Sequence, residues 1–126
     1  MEGFKQLSTT MVWKLKKEWG IDEPINKDDI NFLYYGLVNN TTGNISTFVC
    51  FHPKNGQLFF KLHTKGNADE YEKSLCFLFK KASIFKMNSI YCFSTKKYPK
   101  LYLKMGFNKQ FSAIHSKDIL IKHLIF

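Results

Sequence analysis

His63-Thr64-Lys65-Gly66-Asn67-Ala68 opens, and Leu101-Tyr102-Leu103-Lys104-Met105-Gly106-Phe107 closes, the stretch of this chain whose reading decides its fold. The first segment sits where a β-rich run from Gln57 to Leu62 gives way to a helix opening at Ala68 or Asp69. A strand that turns on glycine into a helix start leaves the first-turn N–H groups pointing outward together. The helix dipole adds about half a positive charge there, so the segment is a candidate anion site. Beyond it Tyr71, Leu75, Leu78, Phe79, Ala82 and Phe85 recur at helical spacing and predict a helix from Asp69 to about Lys86 with one broad buried stripe. Asp69, Glu70 and Glu72 at its start and Lys80, Lys81 and Lys86 at its end complement the dipole. Ser89 to Ser94 reads as a short buried strand. Thr95 to Pro99 then leads into a second helix, with Pro99 in its first turn and Gly106 as a left-handed cap.

The flanks are read from this centre. Upstream, Phe4-Lys5-Gln6-Leu7 suggests a short strand, and Ser8, Thr9 and Thr10 are N-cap candidates for a helix from Met11 to Trp19 that Gly20 ends. Met11 or Val12, Leu15 and Trp19 share one face of that helix; Lys14, Lys16, Lys17 and Glu18 form a solvated one. Asp22-Glu23-Pro24 and Asn26 to Asp29 form a polar connection. Ile30 to Val38 reads as a strand, with a helix from Asn26 or Lys27 as the competing reading, and it stops at the turn-rich Asn39 to Asn44. A strand from Ile45 to His52, a turn at Pro53-Lys54-Asn55-Gly56 and a strand from Gln57 to His63 complete a meander that feeds the glycine loop. Downstream, Phe107 to Ile114 and Ile119 to Phe126 form a hairpin around His115 to Asp118.

With 126 residues, 44% hydrophobic and 17% aromatic, the chain fits one core and is too apolar for disorder. No linker or repeat divides residues 1–126. No apolar run is long enough to span a bilayer and no export signal opens the chain, so a cytoplasmic protein with no membrane partner is expected. Cys50, Cys76 and Cys92 lie among apolar neighbours without metal-ligand spacing; they read as reduced core residues and no metal is expected. The basic residues are all lysine, and the net charge of +9 suits a polyanion such as nucleic acid, an acidic protein or an acidic cofactor. The lack of arginine, the usual bidentate reader of guanine, weighs against sequence-specific DNA recognition.

The loop resembles the pyrophosphate-binding loop of the GNAT superfamily of acyl-CoA N-acyltransferases, Gln/Arg-x-x-Gly-x-Gly/Ala. His63 stands at the Gln/Arg position, Gly66 at the first Gly and Ala68 at the Gly/Ala position. Forty positions past Gly66 comes Gly106, in a segment similar to the family's Leu-Tyr-x-x-x-Gly-Phe, and the separation is what the family's helix, strand and helix occupy. The resemblance implies an α/β fold in one domain: a mixed, mostly antiparallel sheet flanked by helices, with a C-terminal hairpin.

It also implies a chemistry. Acetyl-CoA is the expected co-substrate, and its acetyl group passes directly to an amine within a ternary complex. The N–H groups of Lys65, Gly66, Asn67 and Ala68 would clamp the pyrophosphate, and Phe60, Lys61 and Leu62 would pair with the pantetheine arm as an added strand does. His63 would contact phosphate or serve structure, and Lys65 is the natural phosphate partner. The first-turn acids fit if Asp69 and Glu70 point sideways from the axis. Tyr102 would protonate the leaving thiolate, and it equally suits core packing. Gln57 to Leu62 holds no carboxylate, which leaves His52, His63 or solvent as base. The acceptor is unidentified; an acidic protein or an RNA suits the charge, with the chain a monomer or homodimer. The alternative is a catalytically inactive protein of this fold that holds nucleic acid or an acidic protein on a surface such as Lys96, Lys97, Lys100 and Lys104.

Overall fold

The computed structural model describes residues 2–21, 32–39, 41–94 and 97–124. The polar connection expected at Asp22 to Asp29, the helix alternative from Asn26 or Lys27, and Thr95 and Lys96 before the second helix lie outside the described residues. The elements run β1 (Glu2–Gln6), α1 (Thr9–Glu18), β2 (Leu33–Asn39), β3 (Ile45–Lys54), β4 (Gln57–Thr64), α2 (Ala68–Ile84), β5 (Ser89–Phe93), α3 (Pro99–Lys104), β6 (Asn108–Ser112) and β7 (Lys117–His123). The strands form one sheet in the order β1-β2-β3-β4-β5-β7-β6. Every neighbouring pair is antiparallel except β4 and β5, which α2 joins as a parallel crossover. The mixed, mostly antiparallel α/β sheet with a C-terminal hairpin is therefore as expected.

Local chemistry explains the element ends. Ser8 caps α1 by accepting from the Met11 N–H at 3.2 Å. Asn55 and Gly56 carry φ of +54° and +76°, the pair that a two-residue hairpin needs, so the β3–β4 turn is just these two residues. Pro53, expected in that turn, instead pairs with Leu58 inside β3. Among the described residues the β2 ladder reaches no further than Leu33↔Phe51, two positions short of Pro53. Gly106, at φ +94°, ends α3 as expected.

Two apolar clusters sandwich the sheet. Beneath α2 and α3, Val49, Phe51, Leu58, Phe60, Leu75, Leu78, Ile90, Tyr102, Phe107 and Leu120 form the main core. Beneath α1, Val12, Leu15, Tyr34, Phe48 and Cys50 form the smaller one. Val12 rather than Met11 is the buried member of the α1 face. Two expectations are corrected. Cys76 is exposed on the flank of α2, where it lines a groove with Gly3, Phe4 and Phe77, whereas Cys50 and Cys92 are buried thiols. Phe85 is the C-cap residue of α2 and is exposed, because the helix ends at Ile84 before the apolar stripe reaches it.

Because Leu75 is wholly buried between α2 and the sheet, Leu75→Ala should lower unfolding free energy by about 2–5 kcal/mol. Phe111→Ser, on an exposed position of β6, should change it by less than about 0.5 kcal/mol. Urea denaturation of both variants checks this contrast.

Candidate active site

The site begins where the parallel ladder stops. β4 pairs with β5 only through Gln57↔Ser89, Leu58↔Ile90 and Phe59↔Tyr91, although both strands continue. The Asn88 N–H donates to Gly56 O on the β5 side, and the Lys65 N–H donates to Ser46 O on the β3 side. By the alternation of a ladder, the backbone groups of Phe60 and Leu62 therefore face β5. Among the described residues, no strand pairs with that edge of β4 beyond Phe59. The strands part there around a cleft of about 180 Å³ lined by Phe60, Lys61, Leu62, His63, Tyr71, Cys92, Phe93 and Tyr102. Four expected cofactor residues of β4 and the expected catalytic Tyr102 thus line one space. His52, the other candidate base, lies tilted against Phe32 at 5.4 Å and is not among the lining residues.

Tyr102 is set in the cleft wall by α3. Its ring meets Tyr71 and Phe107 edge-on at 5.7 and 5.2 Å, and its hydroxyl shares a 2.5 Å hydrogen bond with the Tyr71 hydroxyl. Burial, which penalises phenolate, pushes the Tyr102 hydroxyl far above the usual range, and the neighbouring Cys92 and Tyr71 push the same way. Desolvation likewise raises Tyr71 to about 12, against a lowering by its bond to Tyr102. The Cys92 thiol is also pushed up to about 12 by burial. All three stay protonated at neutral pH.

The glycine loop follows β4. Asn67 caps α2, its side chain accepting from the Glu70 N–H at 3.2 Å. The Gly66 N–H donates to Thr64 Oγ1 at 2.8 Å, and that hydroxyl lies 2.6 Å from Thr47 Oγ1. With the Lys65 N–H on Ser46, two of the expected phosphate-clamping donors are engaged within the chain. Ala68 is the first residue of α2. Asp69 is exposed, but Glu70 does not point sideways. It turns back over the loop, accepts from the Ser46 hydroxyl, and lies where a Cβ on Gly66 would fall. Beside the loop a second hollow of about 370 Å³ is lined by Trp19, Ile21, Leu62, His63, Thr64, Lys65 and Lys97. Leu62 and His63 wall both spaces. Lys97 donates to Thr64 O at 2.9 Å, and Lys65 lies over Trp19 at 5.2 Å.

Sequence reading missed Tyr71, Cys92, Ser46 and Lys97 as parts of this region. Tyr71 and Cys92 carry only the signal of buried stripe and strand residues, and Ser46 lies on a strand whose register with the loop no local motif encodes. Lys97 stood out only as one cation of a run.

The raised phenols have a consequence for stability. Folding favours the protonated form, so the Tyr71 contribution is complete below the unfolded value near 10 and is lost as pH rises through about 12, with that of Tyr102 lost only at still higher pH. The thermal midpoint should hold between about pH 7 and 9 and fall above about 10, and Tyr71→Phe should make that alkaline fall shallower.

No family model and no curated protein matches the sequence. Solved structures do match. A GNAT-family acetyltransferase from Staphylococcus aureus aligns over 99% of this chain and 100% of its own, at 14% identity and a TM-score of 0.71. The ribosomal-protein-S18-alanine N-acetyltransferase of Escherichia coli aligns over 96% and 91%, at 13% identity and 0.69. PaiA N-acetyltransferase from Thermoplasma acidophilum, in complex with coenzyme A, aligns over 98% and 99%, at 11% identity and 0.72. Likeness at this level speaks to architecture, and with the parted parallel strands, the loop after β4 and the helix bearing Tyr102, it shows that this chain has the GNAT acetyltransferase fold.

Proposed function

We propose that this protein is an acyl-CoA-dependent N-acyltransferase that moves an acetyl group directly to an amine, with both substrates bound together. The parting of β4 and β5 around a cleft walled by Tyr102 carries this reading. The pantetheine arm of acetyl-CoA fits that cleft: it is an extended chain bearing amides, and Phe60 and Leu62 present backbone groups to it as to a missing strand. The phosphate end fits once Glu70 moves off Gly66, with Lys65 and Lys97 beside it.

Within this site the amine nitrogen attacks the thioester carbonyl carbon; a C–N bond forms, the C–S bond breaks, and no protein atom is acylated. Tyr102 gives its proton to the departing sulfur and regains one afterwards. Its hydroxyl is held against that of Tyr71. His63, the one imidazole among the described residues lining the cleft, takes the proton lost by the amine. Because it also walls the hollow beside the loop, it lies between two spaces that donor and acceptor can reach. The charge of +9 favours an acceptor carried by an acidic protein or an RNA.

One observation favours the second reading, an inactive protein of this fold that binds a polyanion. Glu70 and Thr64 satisfy the loop from within the chain, as a loop with no diphosphate to hold would be satisfied.

Calorimetric titration with acetyl-CoA, against ATP at matched salt, tests the choice. Micromolar binding that ATP does not imitate is expected, and equal binding of both ligands, or of neither, moves the reading to the polyanion binder. Gly66→Trp should abolish acetyl-CoA binding. Tyr102→Phe should keep the dissociation constant within about threefold, and with any amine that is turned over it should lower kcat at least tenfold, about 1.4 kcal/mol of transition-state stabilisation.

A further inference from the structure

A diphosphate is held at a helix start by N–H groups and by the close approach that a side-chain-free glycine permits. In this chain the space above Gly66 is taken by a group of the same charge. The Glu70 carboxylate lies where a Cβ on Gly66 would fall, and one of its oxygens accepts the Ser46 hydroxyl from β3. Three further bonds fix the segment: Asn67 Oδ1 accepts from the Glu70 N–H at 3.2 Å, Glu70 O accepts from the Ser74 hydroxyl at 2.8 Å, and Ser46 O accepts from the Lys65 N–H at 2.8 Å. The described ion pairs are Lys104 with Glu72 and Lys109 with Asp118, so among the described residues Glu70 is placed by Ser46 and by the helix start rather than by a lysine.

We propose that Glu70, held by Ser46 over Gly66, is a specificity-determining residue: an internal anion that competes with the cofactor's diphosphate for the loop and so sets how tightly phosphate-bearing donors bind. The inference rests on the cofactor reading given above. A diphosphate and a carboxylate cannot share this space. Binding therefore requires Glu70 to swing out, to lose the Ser46 bond, and still to sit one helical turn from the incoming negative charge, in a helix whose first turn also carries Asp69. The pantetheine end, in the cleft between β4 and β5, meets none of this. Glu70 thus discriminates along the length of one ligand, penalising its charged end and leaving its uncharged end alone. It also gives Gly66 a use in the free protein, since any side chain there would collide with the carboxylate.

Calorimetry with coenzyme A and with pantetheine, which has the arm and lacks the phosphates, tests this on the full chain. Glu70→Ala should bind coenzyme A at least tenfold more tightly than the unaltered protein. Ser46→Ala, which removes the holding bond and keeps the charge, should give a smaller gain, and both should bind pantetheine as before. Circular dichroism and thermal midpoints establish that each variant folds, and Ser46→Ala with Glu70→Gln carries the test should Glu70→Ala fail to fold. Unchanged or weaker coenzyme A binding in the folded variants overturns the proposal. Pantetheine binding throughout with no coenzyme A binding in any variant also overturns it and leaves the cleft assignment standing. Failure of both ligands with every variant overturns the cofactor reading and this inference together.

Discussion

The parallel pairing of β4 with β5 ends after three residue pairs, and the rest of the molecule is arranged around that break. A parallel pair requires a crossover, and α2 supplies it, packing Tyr71, Leu75, Leu78 and Ala82 onto the sheet. Beyond Phe59↔Tyr91 the space between the strands is closed from below by aromatic rings instead of by backbone bonds. Phe60, Tyr71, Tyr102 and Phe107 are all buried there and meet edge-on or tilted, with Phe60 and Phe107 at 6.1 Å. The antiparallel hairpin β6–β7 then holds β5 from its other side, so β5 keeps its place without a longer ladder to β4. The opening is a built feature of a sheet that is otherwise continuous.

The electrostatics of the two ends of this opening differ. At the aromatic end, burial keeps Tyr102, Tyr71 and Cys92 protonated at neutral pH. At the loop end, a helix start and the cations Lys65 and Lys97 attract negative charge, while Glu70 supplies it from within. The loop is closed by a group of its own chain, and on the proposed reading a diphosphate would have to displace it. That is the physical content of the choice between an acyltransferase and an inactive polyanion binder.

Much of this architecture was legible because local signals agreed with one another. Helical spacing from Tyr71 to Ala82, Asn55-Gly56 between two β-rich runs, and Gly106 after an apolar turn each specify an element, and the joint spacing of the Gly66 and Gly106 motifs specifies their order. What stayed hidden depends on register and on distance through space. Tyr71 and Tyr102 are thirty-one positions apart and meet only because α2 and α3 pack side by side. Pro53 reads as a turn residue until the register pairs it with Leu58 inside the strand. Glu70 looks like a first-turn acid serving the dipole, and only the β3–β4 register brings the Ser46 hydroxyl within its reach and turns it onto Gly66. Cys76, with apolar neighbours in sequence, is exposed on the flank of the helix that buries Leu75.

The claim on which the rest turns is that the β5-facing edge of β4 beyond Phe59 receives a ligand as a strand would be received. Residue-resolved hydrogen exchange of the protein, with and without acetyl-CoA, measures it most directly. Selective slowing at the Phe60 and Leu62 amides, with the β1–β2 amides unchanged, is the expected result. Slowing spread evenly over the sheet, or confined to exposed lysine-rich segments such as Lys97 to Lys104, would contradict it.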